Sequence, residues 1–284
     1  MKRRSFIETT ITGLAGTSLL GGTVDPSLRG NINHSVCKWC YPEFSVDELA
    51  KASAAMGLKS VELLEPHEWP ALEPYRLVCA MSMGPIIDGK DRLTDGFNEI
   101  SNHQWLIPMY IERIREVAEA GYDRLICFSG NRRGMDDATG LDNCVVGLKS
   151  IISVAQEHGI TLCMELLNSK VSHPDYMCDY TSWGVELCKR LDSDHFKLLY
   201  DIFHMQVMEG DVIRTIRDNH QYIGHYHTAG NPGRNEIDHT QELNYPAIMR
   251  AIVDTGFTGY VGQEFIPTRT PMISLFEAVR LCDI

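Results

Sequence analysis

The chain alternates between short apolar runs and longer stretches in which apolar residues recur every three or four positions. Short apolar runs bounded by glycine and polar residues are typical of buried parallel strands, and the longer spacing is typical of helices that pack one face on a core. The short runs predict eight strands, at residues 34–37, 60–64, 77–80, 124–128, 160–164, 196–200, 222–225 and 259–263. The longer stretches predict helices at residues 104–120, 141–158, 182–191, 211–219, 245–255 and 271–282.

One more helix is predicted from its end signals. Ser45 is followed three residues later by Glu48, which predicts a capping box at the helix start, and Gly57 is predicted to end the helix. Residues 84–102 are rich in Gly and Asp and are predicted to form a long loop over one face of the domain.

The order of these elements predicts a single (β/α)8 TIM barrel. An alternating strand–helix chain needs a parallel sheet, and eight such units in about 250 residues suit a closed barrel. A doubly wound open sheet is the alternative, but that fold usually has fewer repeats, and no Gly-rich dinucleotide loop follows the first strand. No domain boundary is visible after residue 30, so one barrel domain is predicted over residues 31–284.

The first residues carry a separate signal. The sequence KRRSFI at residues 2–7 is a twin-arginine pattern, and a weakly apolar segment rich in Gly and Thr follows at residues 11–22. This segment is too short to span a bilayer, and the two features together resemble a bacterial Tat export signal. Residues 1–30 are therefore expected to be a Tat-type signal segment that directs the barrel to the periplasm. A chance basic start on a cytoplasmic protein is the alternative.

Composition narrows the choice of partners. The 284 residues are 44% hydrophobic and 23% charged, with a formal net charge of −12. An acidic surface repels phosphate backbones, so nucleic acid is not an expected partner, and no apolar stretch predicts stable membrane insertion. Nine cysteines at irregular spacing argue against a disulfide framework, and the pair Cys37 and Cys40 is interpreted as small packed side chains. The expected partner is a small molecule, and a homo-oligomer stays open.

Polar residues follow four of the predicted strands at the point where each strand ends. Glu165 follows the fifth strand, Asp201 the sixth and Glu264 the eighth, and His227 lies just past the seventh. Because the carboxyl ends of parallel strands meet at one face of a barrel, these four side chains are predicted to converge on one divalent metal ion. Three carboxylates and one imidazole suit Mg²⁺, Mn²⁺ or Co²⁺ better than a thiolate-binding ion, and Zn²⁺ is a further candidate.

The chemistry that such a site supports is proton transfer. Two glutamates that face each other across a substrate can remove a proton from one carbon and return it to the next. A metal ion that bridges the hydroxyl and carbonyl oxygens of the substrate stabilises the enediolate between these two steps. His225 lies two residues before His227, so both rings would point to the same face, and a packed interior position is favoured for His225 over metal ligation.

Several longer motifs resemble those of hydroxypyruvate isomerases. The sequence MELLNS at residues 164–169 resembles their E-x-x-N element, and YDIFHMQVMEGD at residues 200–211 is similar to their YD-x-x-HMQ-x-MEGD. IGHYHTAGNPGR at 223–234, ELNYP at 242–246 and GQEFIP at 262–267 resemble their IGH-x-Q-x-A-x-x-PGR, E-x-NYP and G-x-E-Y-x-P. The wider group that these motifs resemble is the xylose isomerase-like barrels, which include ketose 3-epimerases and endonuclease IV.

The resemblance implies a role for each matching residue. Glu165 and Glu264 would be the metal-bound pair that transfers the proton, and Asp201 would be a further metal ligand. His204 and Arg234 would contact substrate oxygens. One position departs from the pattern: residue 227 is His, as in ketose epimerases, where hydroxypyruvate isomerases tend to carry Gln. The resemblance therefore implies the metal site and leaves the substrate open.

The first functional hypothesis is a divalent-metal-dependent isomerase or epimerase of a small hydroxycarbonyl compound or sugar, in which two glutamates move a proton through a metal-bound enediolate. A lyase or dehydratase on oxidised (3-keto) sugars is the first alternative, because the same acid–base pair can expel a β-oxygen. An exported location fits that alternative. A non-catalytic sugar-binding barrel is the second alternative, and a DNA-repair nuclease is disfavoured by the acidic charge.

Overall fold

The structure, a computed structural model, describes residues 27–284. Residues 1–26 of the predicted Tat-type signal segment lie outside the described residues. The start and the end of the described chain are joined by hydrogen bonds. The Arg29 backbone N–H donates to the Asp283 carboxylate at 3.0 Å, and the Asn31 side-chain amide donates to the Ile284 carbonyl at 2.8 Å.

Seven parallel strands form one curled sheet. They are β1 (Asn33–Cys37), β2 (Ser60–Glu62), β3 (Arg124–Cys127), β4 (Thr161–Glu165), β5 (Phe196–Asp201), β6 (Ile223–Thr228) and β7 (Tyr260–Gln263). Their order across the sheet is β2-β1-β7-β6-β5-β4-β3, and every pairing is parallel. Seven of the eight predicted strands are therefore confirmed, and the carboxyl ends of all seven lie at the same edge of the sheet.

The third predicted strand, at residues 77–80, is present only in fragments. Two isolated bridges remain, Val78 with Ser60 and Ser82 with Leu125. Between them the Ala80 backbone N–H donates to the Ser60 hydroxyl at 2.9 Å instead of to a strand carbonyl, which interrupts the ladder. Residues 78–82 still join the two edge strands, because they form backbone hydrogen bonds with β2 on one side and β3 on the other.

Helices follow the strands in alternation. They are α1 (Val46–Ala55), α2 (His103–Glu119), α3 (Asp137–Glu157), α4 (Thr181–Leu191), α5 (Ile202–Met208), α6 (Val212–Asn219), α7 (Tyr245–Asp254) and α8 (Pro271–Cys282). All but α5 correspond to predicted helices, and the predicted capping box between Ser45 and Glu48 is present. Helix α3 begins earlier than predicted because Asp136 caps it, accepting the Thr139 backbone N–H at 3.0 Å.

The short helix α5 was not predicted, although it shapes the candidate site. Asp201 ends β5 and caps α5, because its Oδ1 accepts the backbone N–H of His204 at 2.9 Å. Seven residues are too few to show a helical repeat in the sequence. The cap occupies one carboxylate oxygen of Asp201 and leaves the other, Oδ2, without a hydrogen-bond partner.

The core lies between the sheet and the helices, and the interior of the sheet is partly polar. Leu198, Val261 and Ile252 are among the fully buried apolar side chains of the core. Glu62 and His225 are also fully buried, and they contact each other inside the sheet. Within residues 27–284, no helix has the length and apolarity that a membrane span would need.

Candidate metal and proton-transfer site

The four predicted ligands lie side by side at the carboxyl ends of neighbouring strands. Glu165 and Asp201 are the last residues of β4 and β5, His227 lies in β6, and Glu264 directly follows β7. The parallel register places Asp201 beside His227. All four residues are buried, and one donor atom from each lies within 4.8 Å of the donor atoms of the other three. The structure therefore brings together the residues that the sequence predicted to converge, and they are called the four-residue cluster below.

His227 lies at the centre of the four-residue cluster. Its Nδ1 is 2.9 Å from Glu264 Oε2 and 3.5 Å from Glu165 Oε1. Its Nε2 faces the other way and lies 2.7 Å from Oε1 of Glu62. Nδ1 of His227 therefore faces the two glutamates of the cluster, and Nε2 contacts Glu62 in the barrel interior.

The donor atoms of the cluster fit a divalent metal ion. Glu165 Oε1, Asp201 Oδ2 and His227 Nδ1 are buried and have no hydrogen-bond partner among the described residues. The short approach of His227 Nδ1 to Glu264 does not have the geometry of a hydrogen bond. Buried polar atoms without partners are costly, and a shared cation would remove that cost. Carboxylate oxygens with one imidazole nitrogen suit Mg²⁺, Mn²⁺, Co²⁺ or Zn²⁺.

The charges of the four-residue cluster also favour a bound cation. Burial raises the pKa of Asp201 to about 8, and the negative charges of Glu264 and Glu165 add to the rise while Arg234 opposes it. Burial also raises the pKa of Glu165. Three carboxylates are difficult to keep ionised in one buried group unless positive charge lies among them. A divalent cation would supply that charge.

The guanidinium of Arg234, a predicted substrate contact, lies against the cluster. Its Nη2 donates to Glu264 Oε2 at 2.7 Å and lies 3.5 Å from Asp201 Oδ2. Its central carbon lies 5.0 Å from the ring centre of Trp39 and 5.5 Å from that of Phe203, so both rings add cation–π attraction. The Nε of Arg234 is buried and has no hydrogen-bond partner within residues 27–284, which leaves a donor for a ligand oxygen.

His204, the other predicted substrate contact, lies in the first turn of α5 with its ring fully buried. Its Nδ1 accepts the backbone N–H of Asn168 at 3.1 Å. Burial, followed by the charge of Arg234, lowers the pKa of His204 well below its usual range, so the ring is neutral. Because Nδ1 is an acceptor, the proton of the neutral ring is on Nε2. This Nε2–H lies 3.7 Å from Asp201 Oδ2, has no hydrogen-bond partner, and can donate to a substrate oxygen.

Two residues of the site were missed by the sequence reasoning. Trp39 lies just past β1 and donates its Nε1–H to Glu264 Oε1 at 2.8 Å, and the residue is 41% exposed. Glu62 ends β2, and His225 and His227 lie 2.8 and 2.7 Å from its Oε1. Trp39 and Glu62 lie at the carboxyl ends of strands, as the predicted ligands do. The sequence places Trp39 just past a predicted strand, so it could have been found by the same reasoning. The predicted second strand extends to residue 64, so Glu62 lies inside it and gave no such signal.

His225 and the cysteines lie in the interior of the protein. His225 is fully buried inside the sheet and lies outside the four-residue cluster, in line with the favoured interior position. All nine cysteines are buried and free in the structure. Cys37 and Cys40 are not bonded to each other. The Sγ of Cys37 lies 3.6 Å both from Glu62 Oε1 and from His227 Nε2.

Comparisons with known proteins agree with this fold. A model of the family described as "Xylose isomerase-like TIM barrel" matches residues 101–280. A human protein named "Putative hydroxypyruvate isomerase" is 26% identical over 247 residues, which cover 81% of this chain and 87% of that protein. The 2-oxo-tetronate isomerase of Cupriavidus necator is 27% identical over 241 residues, which cover 80% of this chain and 89% of that protein.

Two solved structures are similar over most of their length. An AP endonuclease of family 2 from Brucella melitensis superposes with a TM-score of 0.75 at 22% identity, covering 86% of this chain and 97% of that one. The 3-keto-D-glucoside 4-epimerase of E. coli superposes with a TM-score of 0.73 at 17% identity, covering 88% and 100%. At these identities the superpositions establish the fold alone.

Proposed function

The chain belongs to the xylose isomerase-like TIM barrel family, as a hydroxypyruvate isomerase-like member, and from this premise we propose that it is a divalent-metal-dependent isomerase or epimerase of a small hydroxycarbonyl compound. One observation carries the proposal. Glu165 ends β4 and Glu264 directly follows β7, with Asp201 and His227 on the two strands between them, and one donor atom from each of the four lies within 4.8 Å of the others. In this proposal residues 78–82 take the place of the eighth barrel strand.

The four-residue cluster would hold the metal ion. A divalent cation at this position would draw electron density from the hydroxyl and carbonyl oxygens of a substrate, and the adjacent carbon-bound proton would become more acidic. Mg²⁺, Mn²⁺, Co²⁺ and Zn²⁺ all suit three carboxylates and an imidazole.

The two glutamates would have different parts in the proton transfer. Both oxygens of Glu264 accept hydrogen bonds, Oε1 from Trp39 and Oε2 from Arg234. Glu165 Oε1 has no partner, and burial raises the pKa of this residue. A carboxylate with a raised pKa that accepts no hydrogen bond from the protein is the better proton acceptor, and with one oxygen on the ion its other oxygen would take the proton. In the proposed reaction Glu165 therefore removes the proton from one carbon, and Glu264 serves the other side of the substrate.

His204 and Arg234 would orient the substrate. Each has one buried N–H without a partner, Nε2–H of His204 and Nε–H of Arg234. Two convergent donors beside a cation suit a molecule with several neighbouring oxygens, such as a small sugar or a hydroxy-keto acid. This class agrees with the substrates in the names of the curated relatives.

The direct test is exchange of a carbon-bound proton of the substrate with solvent. The purified protein is incubated in deuterated water with Mg²⁺, Mn²⁺, Co²⁺ or Zn²⁺ and a panel of hydroxypyruvate, 2-oxo-tetronates, ketoses and 3-keto sugars, and deuterium incorporation is followed by NMR. We expect incorporation next to the carbonyl of one substrate class, and its loss when the ion is chelated. Absence of exchange with the whole panel and every ion would contradict the proposal.

Variants of the two glutamates sharpen this test. Glu165→Gln and Glu264→Gln each remove a proton-transfer group while keeping an oxygen, and the expected fall in the exchange rate is about 10²- to 10⁴-fold. Glu186→Gln is the matched control, because Glu186 forms an exposed ion pair with Arg190 on α4, where little stability depends on it. Exchange at the parental rate in Glu165→Gln would remove this residue from the mechanism.

A second candidate is a lyase or dehydratase on 3-keto sugars. The observation that favours it is the twin-arginine pattern at residues 2–7, since an exported barrel fits the breakdown of sugars outside the cytoplasm. After the proton leaves, the same glutamate pair could expel a β-oxygen, which changes the mass of the product. Mass spectrometry therefore separates the two candidates: an isomerase or epimerase leaves the substrate mass unchanged, and a lyase or dehydratase does not.

A further inference from the structure

Glu62 is a fully buried carboxylate in the barrel interior that belongs neither to the four-residue cluster nor to the predicted site. The Nε2 atoms of His225 and His227 lie 2.8 and 2.7 Å from its Oε1, and the Cys37 thiol lies 3.6 Å from the same oxygen. An ionised carboxylate only accepts hydrogen bonds, so both imidazoles must donate to it through Nε2–H.

The backbone around Glu62 is built to place this carboxylate. Leu63, the next residue, has a left-handed conformation with φ of 59°, which is uncommon for a bulky side chain and ends β2 at Glu62. The Leu63 backbone N–H is held by the Met81 carbonyl at 2.8 Å. On the neighbouring side, a Cβ at Gly262 would lie 2.3 Å from Glu62 Oε1, so only glycine leaves room for the carboxylate.

His227 connects Glu62 to the four-residue cluster. When Nε2 carries the proton that is donated to Glu62, the lone pair of the neutral ring is on Nδ1, which faces Glu165 and Glu264. A carboxylate behind a histidine fixes the tautomer and the ring orientation and makes the ring a stronger metal ligand. We propose that Glu62 is a positioning residue that holds His227 as an Nδ1 ligand for the metal ion. This inference rests on the proposed function, because it takes His227 to be a ligand.

The alternative to this positioning role is that Glu62 is itself a ligand of a second metal ion. Donor atoms of Cys37, Glu62 and His227 also lie within 4.8 Å of one another, so an ion could in principle sit among them and share His227 with the cluster. Positioning by Glu62 requires one ion per chain, whereas the alternative requires two. Metal stoichiometry therefore distinguishes them.

The first measurement uses the parent protein and needs no variant. Protein labelled with ¹⁵N in histidine is loaded with diamagnetic Zn²⁺ or Mg²⁺, and the ring signals of His227 are assigned by their loss in His227→Gln. We expect His227 to show a protonated Nε2, with a downfield proton in slow exchange, and an unprotonated, metal-bound Nδ1. A protonated Nδ1, or metal on Nε2, would overturn the proposal.

The second measurement compares ion affinities by competition with a chelator, without substrate. Glu62→Gln keeps the size of the side chain and removes its charge, and we expect ion binding to weaken roughly 10- to 100-fold. Ser60→Ala is the matched control: Ser60 lies on the same strand, is fully buried and accepts one hydrogen bond from Ala80. Its loss should lower the melting temperature and leave ion affinity within about twofold, since side-chain changes that touch no ligand act on stability alone.

The outcomes separate this inference from the function on which it rests. If the parent protein binds one ion and Glu62→Gln binds it equally tightly, the positioning role is overturned and the proposed function stands. If the parent binds two ions and Glu62→Gln loses one of them, Glu62 is a ligand and the positioning role is overturned. If the parent binds no divalent ion, both the proposed function and this inference are overturned.

Discussion

At the scale of single residues, the site is defined by which buried atoms lack partners. Glu165 Oε1, Asp201 Oδ2 and His227 Nδ1 face a common space without hydrogen bonds, whereas both oxygens of Glu264 are engaged. A buried group that is left partly unsatisfied is expensive for a fold to keep, and sites of function are where such cost is tolerated. This pattern is the reason for assigning a cation to the cluster and a proton-accepting role to Glu165.

Trp39 provides a prediction at the same scale. Trp39→Phe removes the N–H that donates to Glu264 Oε1 and keeps an aromatic face for Arg234. Loss of one hydrogen bond from the partly exposed indole costs roughly 0.5–1.5 kcal/mol, or about two- to twelvefold in kcat/KM. Steady-state kinetics with the substrate found by deuterium exchange measures this. A Trp39→Phe enzyme as active as the parent would show that the indole N–H does not tune Glu264.

The sequence predicted the four-residue cluster because each member follows a recognisable apolar run. It could not predict Glu62 in the same way, because Leu63 and Leu64 continue the apolar run past it and only the left-handed backbone of Leu63 ends the strand there. His204 and Arg234 were predicted through the resemblance alone. Arg234 has a left-handed backbone with φ of 58°, a conformation that spacing does not reveal.

At the scale of elements, strands and long helices were predictable and the short irregular segments were not. Periodicity identifies an element only when several residues repeat, which suits α2 or α3 and fails for the seven residues of α5. The run at residues 77–80 was apolar enough to predict a strand. Its ladder breaks at Ala80, because a side-chain hydroxyl of Ser60 takes the backbone N–H, and that competition depends on the tertiary structure.

Glu236 joins the loop after β6 to residues 268–269 and to α8, and it gives a pH-dependent prediction. It follows β6 and accepts the backbone N–H groups of Thr268 and Arg269 and the hydroxyl of Ser274 in α8. Burial alone would raise the pKa of Glu236, but these hydrogen bonds outweigh it and lower the pKa to about 2. A lowered pKa in the folded state stabilises the protein above the ordinary value of 4.5, and this stability is lost as pH falls from there towards 2.

The measurement is urea unfolding of the parent and of Glu236→Gln between pH 3 and pH 7. The parent should be more stable than the variant at pH 7, by up to about 3 kcal/mol, and the difference should shrink as the pH falls. The hydrogen bonds supply the physical reason, because an amide offers only one accepting oxygen to the same donors. A difference in the free energy of unfolding that stays constant over this range would contradict the lowered pKa.

At the scale of the whole molecule, the cellular compartment of the protein can be tested directly. We propose that residues 1–30 export the barrel to the periplasm through the Tat system, on the basis of the twin-arginine pattern. Expression of the full chain in a bacterium with an active Tat system should place the protein in the periplasmic fraction. Replacing Arg3 and Arg4 together by Lys should retain it in the cytoplasm.

The control for this experiment is the chain without residues 1–26, which keeps the Arg29 contact with Asp283 and should stay cytoplasmic while keeping its activity. Export of the double Arg→Lys variant at the parental level would show that the twin-arginine pattern is a chance basic start. A cytoplasmic location would in turn remove the support for the 3-keto-sugar lyase, because the export pattern is the observation that favours that candidate.

We propose that four strand ends build one metal site. The most direct test is a crystal of the protein loaded with Mn²⁺, in which anomalous scattering locates the ion independently of any assumed role. We expect one peak, at about 2.0–2.4 Å from oxygens of Glu165, Asp201 and Glu264 and from Nδ1 of His227. A saturated crystal with no peak at this cluster, or with its peak elsewhere in the barrel, would contradict it.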